Sequence, residues 1–299
     1  MKKILSTLAC FILTFSMLDC RAQSKVDLKK DVYVVLLGGQ SNMVGFGNYD
    51  QLDDRTKARI EAISNRVALS HYKGDKASPL SYTKIKLHEK YNLTKRFGPE
   101  LFLGLTLAEN NPNQEFLLIK TAQGGTALYG AWNPNWSAKQ AKEIERGEQK
   151  QNMKLYENHI NQIKAQLARL KAEGKSYKII GMAWMQGEND AKFEASASNY
   201  GKNLGVLLSS YRKEFNIPNM PFVAGQTNSH YGMKGGSDMV RQGFLDFEKS
   251  EDNVVVIKTV RDSPYTDFPK HPDNVHYNTE GQKNLGTAFG NALIQLNSK

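Results

Sequence analysis

Residues 31–37, DVYVVLL, form a short apolar run rich in β-branched side chains, with no alternation of polar and apolar positions. A strand that reads this way is buried on both faces, which is the condition of a central strand in a parallel sheet covered by helices on either side. Three later runs are alike, at 116–121 (FLLIKT), 177–185 (YKIIGMAWM) and 253–259 (NVVVIKT), and a shorter fifth lies at 221–225 (PFVAG). Helical spacing separates them. Leu155, Ile160, Ile163, Leu167 and Leu170 recur at three- to five-residue steps before Gly174, Tyr200, Leu204, Leu207, Tyr211 and Phe215 do the same, and Phe97 to Leu107 is an apolar helix candidate. Strands alternating with helices predict right-handed βαβ crossovers and a mostly parallel sheet. Residues 48–96 and 129–151 are polar and fit the alternation less well; they read as excursions over the rim of the sheet, where ligand contacts gather. No repeat or Pro/Gly/Ser-rich linker divides the chain, so residues 23–299 are expected to form one domain.

The first residues follow different rules. Two lysines precede an apolar run from Ile4 to Leu18, too short for the roughly 20 residues of a spanning helix but matched to the core of an export signal. Cys20 and Ala22 place small side chains at the −3 and −1 positions of a cut after Ala22, so residues 1–22 are expected to be a cleaved signal peptide and the protein periplasmic or secreted. Lipidation of Cys20 is the weaker reading, because Asp19 precedes it. Cleavage removes Cys10 and Cys20, the only two cysteines, and so excludes disulfides from the mature chain. It also removes Lys2, Lys3, Arg21 and Asp19, lowering the formal charge from +10 to +8.

The chemistry-bearing residues cluster after the strands. The first strand runs into Gly38-Gly39-Gln40-Ser41-Asn42-Met43, and ligands of open α/β sheets bind beyond the carboxyl ends of strands. Ser41 is therefore either the N-cap of a short helix or a nucleophile. Asp273-Asn274-Val275-His276 follows the last strand; at this spacing in a loop a carboxylate reaches its own segment's imidazole and orients it as a base, although a turn-capping Asp beside a surface His would read the same. Gln123-Gly124-Gly125-Thr126 offers backbone N–H groups unobstructed by a Cβ, which suits an oxyanion hole as well as an ordinary turn. Trp184-Met185-Gln186-Gly187-Glu188-Asn189-Asp190 ends another buried strand, where Gln186 is a candidate amide donor to the same oxyanion.

Taken together, Gly39-Gln40-Ser41-Asn42-Met43, the Gly124-Gly125-Thr126 turn, Trp184-x-Gln186-Gly187-Glu188-x-Asp190 and Asp273-x-x-His276 resemble the SGNH-type hydrolases, in their sialate O-acetylesterase and acetylxylan esterase branch. The likeness runs from about residue 32 to about 290. It implies a flavodoxin-like three-layer α/β/α sandwich on a five-stranded, mostly parallel sheet, and removal of O-acetyl groups from carbohydrates through an acyl-serine without metal or cofactor. Carried over, Ser41 is the nucleophile, His276 the base and Asp273 its orienter, with Glu188 a rival or supporting partner of the histidine. The oxyanion would be held by the Ser41 N–H, Gly124 or Gly125, and Gln186; Gln40, Asn42, Thr126 and Trp132 would touch substrate. Met185 stands where the family often has histidine, and Asn189 where it often has serine. A catalytically silent carbohydrate-binding protein on the same fold is the alternative.

His71, His88, His159, His230 and His271 lack metal-ligand spacing, so no metal is assigned. His159, within a helical pattern, is expected to be solvated or partly packed. The lysines are scattered, which argues for a solvated basic surface rather than nucleic-acid binding. A sharper expectation is attraction of an anionic glycan by Lys258 and Arg261. Tyr129, Trp132 and Trp136 follow the glycine turn and are expected either to stack on a sugar ring or to anchor their loop. Oligomeric state leaves no mark in the sequence.

Overall fold

The computed structural model describes residues 31–72, 74 and 76–298; the segment read as a signal peptide, residues 1–22, lies outside them. The chain runs β1 (Val32–Gly39), α1 (Ser41–Val44), β2 (Gly47–Asn48), α2 (Asp54–Ile63), β3 (Val67–His71), β4 (Ser78–Pro79), β5 (Thr83–His88), β6 (Leu93–Phe97), α3 (Pro99–Asn110) and β7 (Phe116–Ala122). It continues through α4 (Ala138–Ile144), α5 (Glu148–Gln151), α6 (Leu155–Ala172), β8 (Tyr177–Met185), α7 (Glu194–Ser198), α8 (Tyr200–Phe215), β9 (Phe222–Gly225), α9 (Gly236–Ser250), β10 (Val254–Ile257) and α10 (Thr279–Asn297).

The main sheet has the order β10-β9-β8-β1-β7-β3-β4, parallel except for the antiparallel β3–β4 edge. All five apolar runs are in it. The sheet is wider than the five strands implied by the family likeness, because the polar excursion at 48–96 supplies β3 and β4. Only Val67, Ala68 and Leu69 of β3 are apolar, too short a run to show as a buried strand in sequence. Successive residues of β1 face opposite layers: Val32, Val34 and Leu36 pack with α6, α8 and α9, whereas Val35 and Leu37 pack with α2, α3 and α10. Both faces are thus covered, which is why the run shows no alternation, and each fully buried Leu or Val contributes about 1.5–3 kcal/mol.

Two features position the site. β1 lies between β7 and β8, and the chain passes from one side of β1 to the other between those two strands, opening a crevice beyond their carboxyl ends. A small antiparallel sheet, in the order β2-β6-β5, stands beside that crevice, and the turn of its β5–β6 hairpin carries residues 89–92.

Behind α1, Lys120 at the end of β7 meets Glu100 of α3 at 2.6 Å, and its ammonium also donates to the Val44 carbonyl at 3.2 Å. Both side chains are buried. Burial pulls the lysine pKa down, and the carboxylate opposes that shift. Lys120→Met is expected to cost about 3 kcal/mol by leaving the buried Glu100 without its cation and with only the Gly98 N–H among its partners, whereas the double variant Glu100→Leu/Lys120→Met should recover most of the loss. Urea denaturation of the three variants checks this; equal losses in single and double variants would mean that packing, not charge, sets the cost.

Candidate active site

β1 ends at Gly39, whose φ is +155° and where a Cβ would stand 2.1 Å from the Met185 carbonyl oxygen. Only glycine lets β1 turn there this close to β8. Gln40 N–H donates to that same carbonyl at 3.0 Å, and α1 begins at once, so Ser41 sits in the first turn with a backbone N–H that has no intrahelical acceptor. The Ser41 side chain is not an N-cap; Gln40 occupies that position without a side-chain capping bond.

Ser41 Oγ lies 3.0 Å from His276 Nε2, across 235 residues of chain. On the far side of the imidazole, His276 Nδ1 donates to Asp273 Oδ2 at 2.8 Å, while Asp273 Oδ1 accepts the backbone N–H groups of Val275 and His276 at 3.0 Å each. Lys90 Nζ reaches Oδ2 at 2.8 Å and the Tyr91 hydroxyl donates to the same oxygen. Burial works against the Asp273 charge, but the hydrogen bonds from His276, Lys90 and Tyr91 outweigh it and hold the carboxyl well below the usual carboxylate range. A hydroxyl, an imidazole and an ionised carboxylate in line can pass a proton from Ser41 to His276 and stabilise the imidazolium that results.

The glycine turn is beside Ser41: a Cβ on Gly124 would stand 3.5 Å from Ser41 Cβ. Gly125 adopts φ +65° and its carbonyl accepts Lys150 Nζ at 3.2 Å. This turn is held from behind by two buried carboxylates. Asp190 accepts the Leu128 and Tyr129 N–H groups at 2.8 and 3.0 Å, and Glu145 accepts those of Ala127 and Ala131 at 2.8 and 2.9 Å. Burial pushes their pKa values up, to about 6 for Asp190 and about 7 for Glu145, against the pull of those hydrogen bonds.

Several expected contacts lie elsewhere. The Gln186 amide nitrogen is spent on Asp190 Oδ2 (2.6 Å), the Thr126 carbonyl (3.1 Å) and Gln40 Oε1 (3.3 Å), with none of its hydrogens left for an oxyanion. Thr126 is fully buried, its hydroxyl closing the turn onto the Gln123 carbonyl at 2.8 Å. Asn42 braces the site instead of touching substrate: its amide donates to Glu188 Oε1 (2.8 Å) and the Val275 carbonyl (3.1 Å), and its oxygen accepts Tyr277 N–H (3.0 Å). It therefore grips the chain on both sides of His276. Glu188 meets Asn42, not the histidine. Trp132 is fully buried, edge-on to Trp184 with ring centres 5.1 Å apart, so it anchors its loop and offers no ring to a sugar. Gln40 turns its oxygen inward, toward Gln186 Nε2 (3.3 Å) and Asn189 N–H (3.4 Å), and its amide nitrogen makes no hydrogen bond among the described residues.

Lys258 stands 3.9 Å from Glu248, and Arg261 is paired with Asp238, so each cation has a carboxylate beside it that offsets its charge. His159 is wholly buried between Tyr211 OH (2.7 Å) and the Ile119 carbonyl (3.3 Å), and burial drags its pKa down to about 4. Met185, at the departure from the family pattern, is core. Among the described residues no group of three or more His, Cys, Asp and Glu is arranged to hold a metal. Tyr91 and Lys90 escaped notice in sequence. They sit in a charged stretch with no motif, and only the fold of the β5–β6 hairpin brings them to Asp273.

The carbohydrate esterase family described as sialic acid-specific acetylesterase matches residues 29–295. The chain belongs to this family. A probable carbohydrate esterase of Arabidopsis thaliana is 29% identical over 177 residues, which span 59% of this chain and 55% of that protein. A crystal structure of an Arabidopsis thaliana protein is similar, with a TM-score of 0.62 at 22% identity, covering 89% of this chain and 99% of the other. That of NanS gives 0.62 at 16% identity over 91% and 99%. A carbohydrate acetylesterase from Xanthomonas citri gives 0.56 at 18% identity over 88% and 56%. At these identities the three structures bear on the fold alone.

Proposed function

We propose that this chain is a serine esterase that removes O-acetyl groups from carbohydrates. The observation that carries the reading is the 3.0 Å contact of Ser41 Oγ with His276 Nε2, backed by the 2.8 Å contact of His276 with Asp273, in a chain of the carbohydrate esterase family. His276 takes the Ser41 proton as the oxygen attacks the acetyl carbonyl. The oxyanion forms against the Ser41 and Gly124 N–H groups, with the Gln40 amide as a side-chain donor in the place first given to Gln186. The protonated His276 then gives its proton to the departing sugar hydroxyl, and water activated by His276 frees acetate and restores Ser41. Atoms balance as ester plus water to alcohol plus acetic acid. O-acetylated sialic acid is the first substrate to test, because the family description names it, and acetylated polysaccharide the second. Acetate release from both, and from an aryl acetate, is the direct assay; sugar binding with no acetate released from any of them would favour the silent carbohydrate-binding protein.

We place the enzyme outside the cytoplasm, as one domain over residues 23–299 behind a cleaved signal at 1–22; the support is the short apolar run after Lys2 and Lys3. Among the described residues no helix is long and apolar enough to cross a membrane.

With Trp132 buried, the sugar-facing role passes to Tyr231, 48% exposed beyond the carboxyl end of β9, and to Phe193, 43% exposed beyond β8. Lys192 Nζ lies 5.1 Å from the Tyr231 ring centre and donates to Asn189 Oδ1, whose own N–H reaches Gln40. This chain of contacts leads from Gln40, the residue before Ser41, to an open aromatic face. Tyr231→Ala is expected to raise KM for an acetylated oligosaccharide about five- to tenfold and to leave an aryl acetate unaffected. Equal effects on both substrates would return Tyr231 to a loop-anchoring part.

A further inference from the structure

The β5–β6 hairpin delivers a phenol to the acid–histidine pair. Tyr91 lies flat between two imidazoles, His88 with ring centres 4.7 Å apart at 3° and His271 at 4.1 Å and 23°. Phe46 closes the pocket, 5.0 Å from Tyr91 and 4.9 Å from His276, and its carbonyl holds His271 Nε2 at 3.0 Å. So confined, the Tyr91 hydroxyl donates to Asp273 Oδ2 and lies 2.8 Å from His276 Nδ1.

Asp273 and His276 share one loop, three residues apart, and a loop by itself positions an imidazole loosely. The hairpin belongs to a different sheet, so a contact from it ties that loop to an outside reference point. We propose that Tyr91 is a positioning residue for the esterase reaction: its hydroxyl, sharing Asp273 Oδ2 with the imidazole, fixes where the carboxylate stands and so aims His276 Nε2 at Ser41. Burial and the adjacent Asp273 carboxylate both raise the Tyr91 pKa, which keeps the hydroxyl protonated and donating.

The sharing also has an electrostatic side. A hydroxyl donating to Oδ2 shares the charge that faces the imidazole, so Tyr91 and His276 divide one carboxylate oxygen between them. The groups facing this pair are Ser41 from α1, Tyr91 and Lys90 from the hairpin, and His271 from the loop itself. Lys270, which burial drags down to about 8 against the pull of Glu188 and Asp273, points its ammonium onto the Asn228 and Asn274 carbonyls at 3.1 and 3.0 Å.

The inference rests on the esterase reading, and its test includes a readout that does not. Tyr91→Phe keeps the ring stack and deletes only the hydroxyl. In NMR spectra of the full-length protein with labelled histidine, the His276 ring signals are expected to move in this variant while those of His159 stay in place. With an aryl acetate, kcat should fall about tenfold at unchanged KM. A Tyr91→Phe protein with wild-type kcat, or one with lowered kcat but unmoved His276 ring signals, overturns the proposal, since a structural part alone would lower the melting temperature without moving the imidazole. Should Ser41→Ala keep full activity, the esterase reading falls while the His276 ring signals still decide the part played by Tyr91.

Discussion

Ser41→Ala is expected to lower kcat for acetate release by about four to six orders of magnitude while KM for the sugar ester stays within about threefold. The size follows from what is lost and what remains. In the proposed reaction the Ser41 oxygen forms the new bond, and without it no acyl-enzyme would form; the backbone N–H groups of residues 41 and 124 and the Gln40 amide would still face the acetyl carbonyl, so a small residual rate is expected. KM is expected to hold because, among the described residues, the Ser41 hydroxyl makes one hydrogen bond, to His276, and the side chain is buried away from the exposed rim. The same variant should fail to carry an acetyl group after brief mixing with an aryl acetate, whereas the wild type should show it on the Ser41 peptide by mass spectrometry. A Ser41→Ala protein releasing acetate at the wild-type rate would mean that a water molecule, or another nucleophile, performs the attack.

What was legible in the sequence and what was not separates along a physical line. Strands buried on both faces announce themselves, because a parallel sheet covered by two helical layers leaves β1, β7 and β8 with unbroken apolar stretches and polar residues only near their ends. The residues that end those strands were legible for the same reason: chain topology puts Ser41, Gly124 and the 186–190 segment at one end of one sheet. Side-chain direction was not. Gln186, Asn42 and Thr126 carry the polar groups of a binding site, yet each is turned inward and fully used, a matter of rotamer and neighbours that residue identity does not encode. Trp132 shows the limit most plainly, since a tryptophan on a rim loop reads alike whether its ring faces solvent or Trp184. The 83–97 hairpin was hidden for a different reason: its strands are exposed, with Leu93 and Phe97 the only buried positions of β6, so no apolar pattern marks it.

The rivalry between Asp273 and Glu188 for the histidine is settled by a second pair of variants. Asp273→Asn is expected to lower kcat about ten-thousandfold near neutral pH, because an amide in place of the carboxylate neither fixes the Nδ1–H tautomer nor offsets the charge of imidazolium. Lys90 and Tyr91 deepen the loss: both are placed to donate to a carboxylate oxygen, and an amide NH2 turned toward them would meet donors with a donor. Glu188→Gln should cost less than about tenfold. Glu188 Oε1 accepts from Asn42 Nδ2 at 2.8 Å, a bond that a glutamine carbonyl keeps, and Oε2 is buried with no hydrogen-bond partner among the described residues. What Glu188 contributes is indirect, holding Asn42 and through it the backbone on both sides of His276, so its replacement should show in melting temperature before it shows in kcat. Because hydrogen bonds keep the Asp273 carboxyl ionised well below the usual range, protonation of that carboxylate does not set the acid limb of the rate profile. A loss of several orders of magnitude in Glu188→Gln alone, with Asp273→Asn near wild type, would make Glu188 the partner that acts in turnover and Asp273 a loop cap.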